Sequence, residues 1–382
     1  MTTVVQGDLF EESDDLIAED PDYLRKQLVT YIGNKRQLGK QIGDAVAQVR
    51  ARLGGRRLVA ADLFAGSGFV SRLMKQHAET MYVNDIEPYA GVLGQCFLAN
   101  REQVDVGTLA ELVSDLNARA ERGMFVDGFI QEMYAPQNDR EVQMGERVFY
   151  TSDNARRLDL FAQAVAELPS PERALLLGPL LSRASVHANT SGVFKGFYKD
   201  KGTGIGKFGA SAGDALARIM GKIELEVPVL SAFSAEVHVN TSDANALAPT
   251  LPELDVAYID PPYNQHPYGS NYFMLNLLTN YAAPPEVSAV SGIPTDWNRS
   301  GYNVKKRAAT LLEDLVESTP AKFLIVSFND EGFVAPIEIG SMLASRGKVS
   351  EVVTQYNAFR GSRNLRDRNI HVHEHVFVLE RA

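Results

Sequence analysis

The chain has 382 residues, 45% of them hydrophobic and 23% charged, with a formal net charge of -10 and a pI near 5.3. It is long enough for one large domain or two, and without a run of about 18 apolar residues it is not expected to span a membrane. Cys96 is the only cysteine, which excludes an internal disulfide and fits a reducing compartment. The net acidity argues against a protein coated in nucleic acid but permits a local basic cleft.

Residues 1 to about 24 carry Asp8, Glu11, Glu12, Asp14, Asp15, Glu19, Asp20 and Asp22 and no Lys or Arg. They read as a solvated, flexible tail without the basic-then-apolar order of a secretory signal. Within it, the Leu9-Phe10 pair of Gln6-Gly7-Asp8-Leu9-Phe10 buries nothing locally. Tyr31-Ile32-Gly33-Asn34-Lys35 reads as a turn leading into a helix over 38–49. A first strand is predicted over 57–64, a helix over 70–78 and a second strand over 81–85, with another helix after Pro88. This is a βαβ unit. Residues 101–233 show mixed helical patterns and look like an inserted second domain. A Gly- and Lys-rich stretch from Lys195 to Gly209 interrupts them. Strands resume over 236–239, 256–259, 323–328, 351–356 and 375–379, the last two as a hairpin with a long polar loop.

The chemistry-bearing residues fall at the ends of these strands. Asp62-Leu63-Phe64-Ala65-Gly66-Ser67-Gly68 closes the first strand and opens a helix, so its glycines let a nucleoside approach the backbone. A tight strand-to-helix turn would use the same residues. Asp85 ends the second strand, where a carboxylate binds ribose hydroxyls or caps the next helix. Those two features alone would also fit a dinucleotide-binding dehydrogenase, although the third glycine of that pattern is missing. Asp243, in Thr241-Ser242-Asp243-Ala244-Asn245, adds an acid to the same cleft or caps a turn. Asp260-Pro261-Pro262-Tyr263 follows the apolar strand 256–259. Two prolines fix the backbone and remove two donors, leaving carbonyls free to accept. Asp260 and a neighbouring carbonyl can then grip one amino group while Tyr263 stacks on the ring that bears it. That is equipment for methylating an exocyclic amine.

YIGNK, DLFAGSG, VND, TSDA and IDPPY occur in this order. Together they resemble the Dam-like class of S-adenosylmethionine-dependent DNA adenine methyltransferases. DPPYNQHPYGSNY, DWNRSGYNVKKRAA, SFNDEGF and NTSGVFKGFYK resemble a bacterial subgroup that includes restriction-modification methylases. The similarity runs from about residue 28 to the C-terminus. It implies an α/β, Rossmann-like, mostly parallel sheet with a C-terminal hairpin. A catalytic domain over 25–100 and 234–382 would then carry a mainly helical target-recognition insert over 101–233. The resemblance implies that Tyr31 and Lys35 contact the methionine part of S-adenosylmethionine. Asp62, Phe64, Gly66 and Gly68 would belong to its pocket, Asp85 to its ribose and Asp243 to its adenine. Asp260 and the Pro261 carbonyl would accept from the 6-amino group of a flipped adenine, with Pro262 and Tyr263 completing the motif and Tyr263 stacking. No metal is expected.

Arg360, Arg363, Arg366 and Arg368 in the last hairpin loop, and Lys195, Lys199, Lys201 and Lys207 in the insert, are candidate contacts to double-stranded DNA. A solvated loop is the alternative for each group. His371, His373 and His375 alternate along the last strand; a half-exposed face is the simpler reading than a metal site. Gln6, Leu9 and Phe10 resemble the peptide by which bacterial proteins dock on the DNA sliding clamp, with Gly7 departing from the usual leucine. A restriction endonuclease is a further partner suggested by the resemblance, and the expected location is the bacterial cytoplasm, at the nucleoid. Cytosine 4-amino methylation, methylation of RNA or of protein glutamine, and a non-catalytic DNA-binding module are the competing readings.

Overall fold

The computed structural model describes residues 18–210, 215–357 and 371–382. Gln6, Leu9, Phe10, Arg360, Arg363, Arg366 and Arg368 lie outside the described residues. The strands are β1 (Leu58–Asp62), β2 (Ala78–Asp85), β3 (Glu236–Thr241), β4 (Leu254–Ile259), β5 (Ala321–Asn329), β6 (Gly347–Asn357) and β7 (His371–Arg381). They form one seven-stranded sheet in the order β3-β2-β1-β4-β5-β7-β6. β1 to β5 run parallel, and β7 pairs antiparallel with both β5 and β6. The α/β sheet with its C-terminal hairpin is therefore as the sequence leads one to expect.

Alternation along the strands sends side chains to two cores. Val256 and Tyr258 of β4 face the helices Gly39–Arg52 and Phe69–Lys75, while Ala257 and Ile259 face Lys305–Ser318 and Pro336–Ala344. β4 is buried at every position, as befits a parallel strand covered on both faces. After β1 the chain winds outward through β2 and β3, then returns to the other side of β1 with β4. That reversal opens a crevice at the carboxyl ends of β1 and β4, where open α/β sheets bind ligands.

The segment between β2 and β3 is mainly helical, with helices Val106–Glu121, Phe129–Tyr134, Ser152–Ala166, Glu172–Val186 and Leu216–Met220. Its apolar side chains share a single cluster with Tyr89, Leu93 and Phe97 of the helix Pro88–Phe97 and with Phe273, Met274 and Leu278 of Phe273–Asn280. Its helices therefore close over the sheet's own helical layer. The described end of the acidic N-terminal segment differs from a loose tail. Glu19 accepts from Ser231 Oγ at 2.6 Å and Ala232 N at 2.8 Å. Tyr23 is fully buried and donates its hydroxyl hydrogen to the Phe97 carbonyl at 2.7 Å. A carboxylate with fixed donors and a buried ring override the local polarity of this stretch. Among the described residues no helix is long and apolar enough to cross a membrane.

Candidate active site

The loop after β1 is built on a buried acid. Asp62 is fully buried, accepts from Ser71 Oγ at 2.5 Å and from the Phe64 amide at 3.4 Å, and is pushed up to about 7 by burial. It lies beneath the loop and does not line the cleft. Gly68 does not line it either; it opens the helix Phe69–Lys75 in the left-handed region, at φ 76°. Both shape the turn that presents Phe64 and Gly66. Gly66 has φ 53°, and a Cβ there would stand 3.0 Å from the Tyr31 ring. Only glycine fits without strain.

Asp85 closes the next strand. Its Oδ2 accepts from the Gly66 amide at 2.8 Å and its Oδ1 from the Glu87 amide at 2.9 Å. Desolvation raises its pKa, and those backbone donors oppose the shift. Asn84, buried beside it, donates to the carbonyls of Leu63 and Ser242 and so ties the ends of β1 and β3 together. Asp243 accepts from the amides of Asn245 at 3.0 Å and Ala246 at 3.1 Å, capping the helix Ala244–Leu247. It both caps a turn and lines the cleft.

Tyr31 stacks on Tyr268 and Tyr272, with ring centroids 5.1 and 4.8 Å away. The Ile32 amide donates to the Tyr272 hydroxyl at 2.7 Å, and the Tyr268 hydroxyl donates to the Ile32 carbonyl at 3.2 Å. This clamp turns Lys35 inward. Lys35 is 5% exposed, and its Nζ lies 3.0 Å from Asp260 Oδ1 and 2.7 Å from Glu374 Oε1. Burial alone would lower its pKa, but the two carboxylates outweigh that and hold it well above the usual lysine value. Lys35 does not line the cleft. A buried ammonium is drawn to the nearest carboxylates, here Asp260 and Glu374.

Asp260 and Pro262 reach the cleft, while Pro261 is buried and Tyr263 is half-buried to one side. The Tyr263 ring lies 5.7 Å from Lys35 Nζ and 6.0 Å from the Phe328 ring, and its carbonyl accepts from the Phe333 amide at 2.8 Å. Burial pushes Asp260 up to about 7, Lys35 opposes this and Glu374 adds to it. Asp85, Asp243 and Asp260 line one cleft. Its remaining wall is a loop that includes Asn298, Ser300, Tyr302 and Asn303. Asn303 donates to the Asn264 carbonyl at 2.7 Å, and Asn298 donates to that of Ile86 at 3.1 Å. Glu87 also lines the cleft; burial raises it to about 7, although Asn276 donates to it at 2.6 Å.

The pattern of the D12 class N6 adenine-specific DNA methyltransferases matches residues 31–322. The chain belongs to this family. It is 26% identical over 340 residues to the type II methyltransferase M.CviAII of Paramecium bursaria Chlorella virus 1, covering 87% of this chain and 93% of that one. It is 25% identical over 366 residues to the type II methyltransferase M.NlaIII of Neisseria lactamica, covering 93% and 100%. Modification methylase StsI of Streptococcus sanguinis is 25% identical over 369 residues, which span 92% of this chain and 52% of that protein. The family implies S-adenosylmethionine as the methyl donor. The cleft's residues suit such a molecule: Asp85 presents a carboxylate, and Gly66 leaves backbone bare.

In this D12-class chain the structure thus gathers Tyr31, Phe64, Gly66, Asp85, Asp243, Asp260 and Pro262 around one cavity. Of the insert lysines, Lys195, Lys199 and Lys201 are exposed and Lys207 is half-buried. Phe194 donates its amide hydrogen to the Asn271 carbonyl at 2.7 Å, so the insert docks beside the segment after Tyr263. Lys195 follows Phe194, and its charge, after desolvation, helps depress His266. Lys199 and Lys201 lie at a turn closed by the Lys199–Gly206 bridge, where Asp200 accepts from the amides of Gly202 and Thr203. His373 and His375 pair with Asp330 at 3.0 Å and Glu351 at 2.6 Å. Sequence reasoning missed Glu87 and the Asn298–Asn303 wall. The acid of Asp85-Ile86-Glu87 and the polar DWNRSGYN stretch were the available signals.

Proposed function

We propose that the cleft holds S-adenosylmethionine and that Asp260-Pro261-Pro262-Tyr263 receives the 6-amino group of an adenine extruded from double-stranded DNA. The observation that carries this reading is one cavity with Asp85 at one end and Asp260 and Pro262 at the other. Tyr31, Phe64 and Gly66 would flank the donor, Asp85 its ribose and Asp243 its base. The bound donor supplies an activated methyl group. Asp260 and the Pro261 carbonyl accept the amine hydrogens, which localises the lone pair on nitrogen and aims it at the methyl carbon. The target amine is hidden in a duplex, so the base must leave the stack. Tyr263 then stacks on it. Lys35 acts one layer behind, on Asp260.

Residues 101–233 would serve as the target-recognition insert, with Lys195, Lys199 and Lys201, and the arginines 360, 363, 366 and 368, on DNA phosphates. The relatives' type II names support a restriction endonuclease as a companion activity. The Gln6, Leu9 and Phe10 peptide supports docking on a sliding clamp, and a DNA substrate supports action at the bacterial nucleoid. Nucleoside mass spectrometry of duplex DNA treated with the full chain and donor tests the reaction. N6-methyladenine is expected, and N4-methylcytosine would overturn the reading. Asp260→Ala should abolish methylation while donor affinity stays within about tenfold, because Asp260 serves the base.

A further inference from the structure

We propose that Glu374 is a positioning residue for methyl transfer, acting through Lys35 on the carboxylate of Asp260. This rests on the proposed role of Asp260. The three groups come from distant parts of the chain: the turn before the helix Gly39–Arg52, the end of β4, and the middle of β7. Glu374 is fully buried. Its Oε1 accepts from Ser327 Oγ at 2.8 Å and takes the Lys35 ammonium at 2.7 Å. Its Oε2 accepts from Asn329 Nδ2 at 3.5 Å. Strand β5 therefore fixes Glu374, Glu374 fixes Lys35, and Lys35 reaches Asp260 at 3.0 Å.

The consequence is a balance. An ammonium bound to Asp260 alone would satisfy that carboxylate and blunt it as an acceptor for an amine. Glu374 shares the ammonium, so Asp260 keeps acceptor strength toward the cleft while its position stays fixed. The groups facing Asp260 are Lys35, Glu374, Tyr258 and Tyr268, with Asp62 beneath and Tyr263 facing Lys35. Burial holds Tyr258 and Tyr268 well above the usual tyrosine range, so they stay neutral. Asp62, pushed to about 7, titrates in the same window. A shift that responds to Glu374 separates the two.

The test is the pH dependence of single-turnover methylation by the full chain, with saturating donor and duplex DNA. Glu374→Gln removes the negative charge that raises Asp260. The acid limb should move to lower pH by about one unit and the plateau rate should fall about tenfold. Donor and DNA affinities should stay within about threefold. Glu374→Asp keeps the charge but shortens the reach, so the limb should stay in place while the plateau falls. Ser327→Ala frees Oε1 to draw Lys35 away from Asp260, and the limb should move upward by about half a unit. That milder variant decides the matter if Glu374→Gln does not fold. A folded Glu374→Gln protein with an unmoved limb, an unmoved limb in Ser327→Ala, or an unchanged plateau in Glu374→Asp overturns the proposal. Asp260→Asn measured alongside separates the two readings. If Asp260→Asn is inactive and Glu374→Gln unshifted, only the role of Glu374 fails; if Asp260→Asn keeps full activity, the amine-binding role itself fails.

Discussion

At the β2 side of the cleft the Asp85 carboxylate is held by two backbone amides, those of Gly66 and Glu87. At the β4 side Asp260 is held by a side chain, the Lys35 ammonium, which Glu374 shares. Both acids are raised by burial. The difference is what each arrangement can do. Backbone donors are fixed and neutral, so Asp85 is a static acceptor, suited to hydroxyls that do not react. A shared lysine is a charge that can redistribute, which suits the proposed role of Asp260 at a reacting amine. On the proposed reading, one end of the cleft serves binding and the other reaction.

The largest way to break this comparison is Lys35→Ala. It leaves Asp260 and the fully buried Glu374 without their common cation, and removing one partner of a buried pair costs about 3–5 kcal/mol. Urea unfolding should register that loss, and methylation should vanish with it. Stability within experimental error of the parent would mean the three groups are not coupled. Asp85→Ala comes next. It should weaken donor binding by about 1.5–3 kcal/mol through loss of a charge-assisted hydrogen-bond pair. Titration calorimetry reads this, and methylation at saturating donor should largely recover. A variant that binds donor normally but cannot methylate would reverse the roles of the two ends.

A smaller effect concerns pH. Asp62, Glu87 and Asp260 are each raised to about 7, and Asp85 is raised as well. In the unfolded chain such acids titrate near about 4. Between those values the folded protein binds more protons than the unfolded one, so stability falls as pH rises through the window. The donor-free protein should therefore melt at higher temperature at pH 6 than at pH 8. Asp62→Asn, which keeps a partner for Ser71, should flatten that slope. A higher melting temperature at pH 8 would contradict the assignment of buried, reluctant carboxylates. The smallest effect is expected at Asp243. Removing its cap with Asp243→Ala should cost about 1 kcal/mol of stability, and Asp243→Asn much less. Donor affinity measured on the same variants tells whether the carboxylate also serves the cleft.

The strands, the glycine turn and the strand-end placement of Asp85 and Asp260 were determined locally and could be read directly from the chain. Apolar runs such as Val256-Ala257-Tyr258-Ile259 have only one way to be buried, and a turn such as Asp62 to Gly68 depends on its own backbone angles. Even Glu374 left a trace. It occupies the buried register of β7 between Val372 and Val376, where a charge is out of place. Its partner left none, because a strand pattern says which face a side chain takes and not what stands opposite. Tertiary structure decided that Lys35 pairs with Asp260 and Glu374, that Asp62 lies beneath the loop, and that Glu19 is gripped by Ser231 and Ala232. It also decided that the helices of 101–233 share a core with Phe97 and Phe273. In each case a buried charge or apolar face takes its partner from a remote segment, since an unpaired buried group costs more than any local preference can offset.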